Sequence, residues 1–205
     1  MLRLWSDIKA GISKSKPIDS LGLDTWAVDF ALLDKNDSLL GNPFHYRDAR
    51  TDGMLEEAFK VMPRAEIFAN SGIQFMQLNT LYQLIATVRT NPSLLGIAKT
   101  FVTIPDLFNY WLTGELSNEF TNATTTQCFD PRTRAWSTKI LSAFDIPSYL
   151  FKPTTESGSQ IGTILSGIAE ETGAAVVPVI LPACHDTGSA VVAVPAKNED
   201  FVWLS

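Results

Sequence analysis

The sequence predicts an α/β domain, because of the order in which its apolar segments occur. Strand-like apolar runs lie towards both ends of the chain, at 20–33 and 176–181, and amphipathic helical patterns fill the region between them. Strands that flank packed helices in this order are typical of α/β layer architectures. The chain has 205 residues, of which 45% are hydrophobic and 19% are charged, so it can bury a substantial core as one large domain or two small ones.

Periodicity and turn signals place the individual elements. Segments 20–24 and 28–33 predict strands, and the polar turn at 34–38 leads into a return strand at 39–40, so a hairpin is expected. Apolar stripes with helical spacing then predict a series of helices. These helices are placed at 1–12, 55–62, 78–85, 93–100, 104–112, 118–126, 137–144 and 163–171. A buried strand at 176–181, a sharp turn and a final helix close the chain.

Charge, cysteine content and motifs argue against several classes of protein. The net charge is −6 and there is no Lys/Arg cluster, so neither nucleic acid nor an anionic membrane is expected as a partner. The two cysteines, Cys128 and Cys184, are far apart and lack CxxC spacing, so the sequence predicts neither a disulfide framework nor a metal site. Without disulfides, the reducing cytoplasm is the default location. No apolar stretch reaches the ~18 residues that span a bilayer. The GxGxxG, GxxxxGK[ST], GxSxG and HExxH motifs are absent.

The most informative polar cluster is the turn before the last helix. Its residues Ala183 to Ala190 read Ala-Cys-His-Asp-Thr-Gly-Ser-Ala between two apolar runs. Asp186 at the start of a helix could take a proton from a bound hydroxyl group, or it could be a helix cap without chemistry. His185 could orient a ligand or serve as a structural histidine. The small residues after Asp186 would let another group approach closely.

Two further polar clusters follow apolar segments. In the first, Asp24 and Asp29 could be paired carboxylates for acid–base work, or Asp24 could cap a turn while Trp26 packs. In the second, at 46–51, alternation can place Asp48 and Arg50 on one face suited to a hydroxyl-rich ligand; the alternative is a solvated loop.

Together these clusters resemble the FGGY family of carbohydrate kinases. The matching blocks occur in order along nearly the whole chain, at 18–30, 46–51, 71–75, 79–84, 105–106, 112–114, 121–127 and 185–191. The Gly-Ile-Gln-Phe block at 72–75 and the Asn-Ala-Thr-Thr-Thr-Gln block at 122–127 are most similar to family members that phosphorylate L-rhamnulose, rather than glycerol or xylulose.

The resemblance implies an actin/RNase H-like (ribonuclease H-like ATPase) fold of the α/β class. Residues 1–196 would be the N-terminal sugar-binding domain without its first phosphate-binding hairpin, and 197–205 would open the C-terminal ATP-binding domain. The expected reaction transfers the γ-phosphate of ATP, with Mg²⁺, to the 1-hydroxyl of L-rhamnulose. Because most of the ATP site would be missing, the chain alone is expected to be inactive. The alternatives are another FGGY ketose kinase and a non-catalytic sugar-binding module derived from a kinase half-domain.

The resemblance also implies roles for particular residues. Asp186 would be the general base, and no residue is expected to bind a metal. The sugar would contact residues from all three clusters, with one addition from the 72–75 block: Asp24, Thr25, Trp26, Ala27, Asp48, Arg50, Gln74, His185 and Thr187. Ala27 stands where family members usually carry Gly, so its methyl group is expected to crowd the sugar or strain the backbone.

Overall fold

The computed structural model describes residues 18–198 together with 200, 202 and 204. The predicted helix at 1–12 lies outside these residues, as do parts of 197–205. The described residues form six short strands and nine α-helices. The strands are β1 (Phe30–Leu33), β2 (Thr100–Thr103), β3 (Phe129–Asp130), β4 (Ala135–Trp136), β5 (Gln160–Thr163) and β6 (Pro178–Ile180). The helices are α1 (Met54–Val61), α2 (Arg64–Ser71), α3 (Thr80–Thr90), α4 (Pro92–Ile97), α5 (Ile104–Thr113), α6 (Phe120–Thr125), α7 (Thr138–Ala143), α8 (Ser166–Thr172) and α9 (Asp186–Val192).

Strand β1 finds its main partner far along the chain rather than in the predicted hairpin. It pairs antiparallel with β2, with Phe30 opposite Thr103, and both strands are buried throughout. The predicted return strand amounts to one bridge between Leu33 and Leu39. The prediction missed β2 because its four residues follow directly after α4, where a helix was expected to run to Thr100.

The segment before β1 is extended and runs beside the segment that leads into α9. Leu21 forms a parallel bridge with Val179 of β6, and Thr25 forms another with His185. Strand β6 pairs antiparallel with β5 on its other side. The segment predicted as a strand at 20–24 therefore makes one isolated bridge at Leu21, with a second at Thr25 just beyond it, rather than a continuous ladder.

The helix predictions are confirmed for the segments with an apolar stripe. Helix α5 has Pro105 in its first turn, and Gly114 ends it with a φ of 78°, the left-handed conformation that favours glycine. Helix α2 was not predicted, because only Ile67 and Ser71 of its eight residues are buried and no stripe results.

The main core lies between the β1–β2 pair and the surrounding helices. Its centre is Phe101, which is fully buried and stacks on Phe30 at 5.2 Å and on Phe151 at 4.7 Å between ring centroids. This core holds β1 rigidly, and β1 directly follows the polar segment 24–29. Within the described residues, no helix combines the length and apolar character needed to cross a membrane.

Candidate functional site

Two of the three predicted polar clusters meet at the ends of neighbouring parallel segments. The backbone N–H of Thr25 donates to the carbonyl oxygen of Cys184 at 2.9 Å, and the N–H of Asp186 donates to the carbonyl oxygen of Thr25 at 2.8 Å. Both chain segments therefore end at the same edge. Ligands of α/β proteins bind outside the carboxyl ends of parallel strands, so this edge is the candidate site.

Asp186 presents its carboxylate to solvent at this edge. It is the first residue of α9, and its side chain is 57% exposed. Its Oδ1 atom accepts hydrogen bonds from the Thr187 N–H at 2.6 Å and the Thr187 hydroxyl at 3.3 Å. The second oxygen is left for a ligand, because no described residue donates a hydrogen bond to it. An exposed, oriented carboxylate at a helix start can accept a proton from a bound hydroxyl group.

His185 lies next to this carboxylate and is more protected. Its Nε2 atom is 3.6 Å from Asp186 Oδ1, and its side chain is 24% exposed. Burial lowers the pKa of His185 below 6.5, and the negative charges of Asp186 and Glu119 oppose that shift. A neutral imidazole results at pH 7, which can both donate and accept hydrogen bonds to hydroxyl groups.

The opposite side of the edge is a strained turn at Ala27 and Val28. Their φ angles are 68° and 57°, a left-handed conformation that is costly for residues with a Cβ atom and rare for β-branched ones. The turn is held from α3, where the Thr80 hydroxyl and the Gln83 amide donate to the Val28 carbonyl oxygen at 2.7 and 3.2 Å. The φ of Ala27 is a conformation that Gly adopts at little cost, which fits the Gly that the resemblance implies for this position. Its methyl group is buried, with only 3% of the residue exposed, so it does not project into solvent.

Asp29 serves the turn rather than forming a carboxylate pair with Asp24. Its Oδ2 accepts the indole N–H of Trp26 at 2.9 Å and its Oδ1 accepts the Gln83 amide at 3.4 Å. Burial raises the pKa of Asp29, although these two hydrogen bonds and the charges of His45 and Arg50 oppose the shift. Asp24 is exposed. The hypothesis of paired carboxylates is therefore wrong, because both oxygens of Asp29 accept hydrogen bonds inside the protein. The hydrogen bond to Asp29 also holds Trp26 at the surface, where it is 49% exposed.

The third cluster joins the site through Arg50. Its guanidinium donates to Gln83 Oε1 and to Thr87 Oγ1, both at 3.0 Å, and it lies 4.1 Å from the ring centroid of Phe44. Gln83 in turn bonds Asp29, so Arg50 supports the strained turn from behind. Arg50 also borders a cavity of about 210 Å³ whose other walls come mainly from segment 40–44, β1 and the end of α3.

The remaining predicted residues are separated in role. Asp48 is exposed and caps the 3₁₀ turn 49–51, where its Oδ1 accepts from the Arg50 N–H at 2.9 Å. The prediction that Asp48 and Arg50 share a face is wrong, because the Arg50 guanidinium points inward to Gln83. Gln74 is exposed, and its carbonyl oxygen accepts from the buried Asn79 amide at 2.9 Å. Asn79 also bonds Gln127 at 3.0 Å, which connects the 72–75 and 122–127 blocks.

Sequence reasoning missed two buried carboxylates behind the turn at 183–188. Glu119 and Asp106 are both fully buried. Burial raises the pKa of Asp106 to about 7, although hydrogen bonds from Thr103, Ser117 and the Glu119 backbone N–H oppose the shift. The only sequence signal for Glu119 was its place at the start of the helix predicted at 118–126, which gives no indication of Cys184, the residue that it contacts 65 positions later in the chain.

A comparison with protein families identifies the family of this chain. Residues 6–193 match the model of the N-terminal domain of the FGGY family of carbohydrate kinases. The chain therefore belongs to the FGGY family of carbohydrate kinases, and the α/β fold expected from the resemblance is confirmed.

Curated relatives that match the chain include two rhamnulokinases. The chain is 44% identical over 176 residues to a rhamnulokinase of Oceanobacillus iheyensis, a match that covers 83% of this chain and 37% of that protein. It is also 44% identical over 163 residues to a rhamnulokinase of Klebsiella pneumoniae, covering 78% of this chain and 33% of that protein. The chain thus spans little more than a third of the length of the curated relatives that it matches.

Solved structures show the same fold at lower sequence identity. A ligand-bound xylulose kinase from Lactobacillus acidophilus superposes with a TM-score of 0.80 at 18% identity, covering 87% of this chain and 37% of that one. Plasmodium falciparum glycerol kinase, solved with ADP, gives a TM-score of 0.73 at 19% identity, covering 87% and 38%. At these identities the likeness establishes the fold and nothing about substrate.

Proposed function

We propose that this chain is the sugar-binding part of a kinase that transfers the γ-phosphate of ATP to the 1-hydroxyl of L-rhamnulose. The observation that carries the proposal is the parallel pairing of Thr25 with His185, which sets the segment 24–27 beside Asp186 at one edge. The similarity to rhamnulokinases over most of the chain supports the choice of sugar.

In this proposal Asp186 is the general base. Its exposed carboxylate accepts the proton of the sugar hydroxyl as the oxygen attacks phosphorus, and the Thr187 hydroxyl and N–H hold that carboxylate in place. Neutral His185 and the Thr25 side chain orient other hydroxyl groups. The exposed face of Trp26, fixed by its bond to Asp29, packs against the apolar face of the sugar ring or chain.

The donor set at this edge fits a sugar rather than a nucleotide. Asp24, Thr25, Trp26, His185 and Asp186 are acidic or neutral, and none supplies a positive charge for phosphate. Among the described residues no group of three or more His, Cys, Asp or Glu could hold a metal ion. Mg²⁺ that arrives with a nucleotide is held largely by phosphates and water. ATP with Mg²⁺ supplies the phosphoryl group; the residues of this edge bind the sugar and take its proton.

The test compares sugars and a base variant in the complete protein. With ATP and Mg²⁺, ADP release should be fastest with L-rhamnulose and much slower with D-xylulose or glycerol. Asp186→Asn keeps the shape of the side chain and should lower kcat by ~10²–10⁴ while L-rhamnulose binding persists. Equal kcat in the variant would show that Asp186 is only part of the helix start, and a preference for another ketose would reassign the substrate within the family.

A further inference from the structure

We propose that Glu119 is a positioning residue that holds the loop carrying His185 and Asp186 in its working geometry. The inference rests on the proposed function, since it assigns the loop as the proton-accepting part of the sugar site. Glu119 itself lies behind the loop and is fully buried, so it touches neither solvent nor a sugar.

The Glu119 carboxylate accepts five hydrogen bonds from neutral donors. Its Oε1 accepts the Thr121 N–H at 2.9 Å and the Ser157 hydroxyl at 2.6 Å. Its Oε2 accepts the Thr121 hydroxyl at 2.6 Å, the Asn122 N–H at 2.9 Å and the Cys184 N–H at 3.3 Å. Five hydrogen bonds fix the orientation of this buried carboxylate group without any contact to a cation among the residues that the structure describes. Two of the four donor residues begin α6, one lies on a separate loop and one lies on the loop that carries Asp186.

The loop backbone is held at three neighbouring points by the first turn of α6. The Cys184 N–H donates directly to Glu119, and the His185 N–H donates to the Thr121 hydroxyl oxygen at 3.3 Å, which itself donates to Glu119. The Asn122 amide donates to the Cys184 carbonyl oxygen at 3.0 Å. We call these three hydrogen bonds to the loop backbone the clamp. The Cys184 carbonyl oxygen also accepts from the Thr25 N–H, so the clamp fixes both sides of the candidate site.

Close packing leaves the loop little freedom to move off this clamp. At Gly188 in α9, an added Cβ atom would lie 3.2 Å from the Ala183 Cβ and 3.6 Å from the Thr121 Cβ. The start of α9 therefore rests directly on α6. A change at Glu119 should displace the loop rather than be absorbed by empty space, and a misplacement of about 1 Å at a catalytic base can cost about 10²-fold in rate.

The direct test uses NMR on Glu119→Gln, which keeps the side-chain shape and removes the charge. The chain has only two histidines, so His185 can be titrated with His45 as an internal reference. Loss of the Glu119 charge should lower the pKa of His185, and the Cys184 and His185 amides should exchange with solvent about tenfold faster. The matched control is Glu57→Gln, which removes an exposed carboxylate bound to Lys60 and Arg89 and should change neither reading.

A second pair of variants keeps the test decisive if Glu119→Gln fails to fold. Thr121→Val removes the hydroxyl between Glu119 and the His185 N–H while keeping the branched shape, and Thr121→Ser restores the hydroxyl. Exchange at His185 should rise about tenfold in the first and return to the wild-type rate in the second. Wild-type exchange rates in folded Thr121→Val, or an unmoved His185 titration in folded Glu119→Gln, would overturn the proposal.

Kinetics in the complete protein separate this proposal from the proposed function. Glu119→Gln should lower kcat for L-rhamnulose by ~10–10², because the displaced loop carries the base, and a smaller rise in KM should accompany it, because the same loop carries His185. If the wild type does not phosphorylate L-rhamnulose, the proposed function fails, while the NMR result still shows whether Glu119 holds the loop. If the wild type is active and the variant shows equal kcat, the positioning role of Glu119 fails alone.

Discussion

Replacing Ala27 with Gly measures the strain stored at the edge of the site. Ala27 has a φ of 68° and its methyl group is buried. Relief of the left-handed conformation should contribute about 1–2 kcal/mol to stability. Greater freedom of Gly in the unfolded chain should cost about 0.4–1 kcal/mol, and loss of a buried methyl group about 0.8 kcal/mol. These effects nearly cancel, so Ala27→Gly should change the free energy of unfolding by less than about 1 kcal/mol.

Ala31 provides the matched control for this measurement. It is equally buried, with 3% of the residue exposed, and it lies in regular strand β1 without a positive φ. Ala31→Gly lacks the relief of strain and should destabilise by about 1.5 kcal/mol. Urea denaturation of the two variants and the wild type gives the difference directly. If Ala27→Gly destabilised as much as Ala31→Gly, the turn at Ala27 would store no measurable backbone strain.

Three further changes test the surroundings of the site. Burial raises the pKa of Asp106 from 3.8 to about 7, so between these pH values the folded state holds a proton that the unfolded state has lost. The free energy of unfolding should therefore fall by about 2 kcal/mol from pH 5.5 to 8. Asp106→Asn should flatten that pH dependence, measured by urea denaturation. Arg50→Lys removes the paired hydrogen bonds to α3 and should cost about 1–3 kcal/mol of unfolding free energy. Gly188→Ala should destabilise by about 1–3 kcal/mol by clashing with Ala183, whereas Gly167→Ala, with open space around it, should stabilise by up to about 1 kcal/mol.

Each of these has a result that would contradict it. A pH profile that keeps its slope in Asp106→Asn would place the titrating group elsewhere. Arg50→Lys within about 0.3 kcal/mol of wild type would show that the guanidinium bonds do not support the turn. Equal effects of the two glycine substitutions would show that Ala183 does not pack tightly against position 188.

The order of strand, turn and helix around Asp186 was predictable from sequence because it depends on adjacent residues. The apolar run before Asp186 and the small residues after it indicated strand, turn and helix, and β6 and α9 confirm that order. The apolar stripe at 104–112 likewise defined α5 to within a residue, since helical periodicity depends only on near neighbours.

Contacts between distant segments were decided only by the tertiary structure. Nothing near Asp29 indicates Gln83 as a partner of its carboxylate, and nothing near Glu119 indicates Cys184 as a partner. Strand β2 was hidden for the same reason, because its four residues become a strand only through pairing with β1. The sequence by itself determined most of the helices, the final strand, turn and helix, the polar residues and the family resemblance. Which of those residues meet depended on packing across the whole chain, because hydrogen bonds between remote segments leave no local pattern.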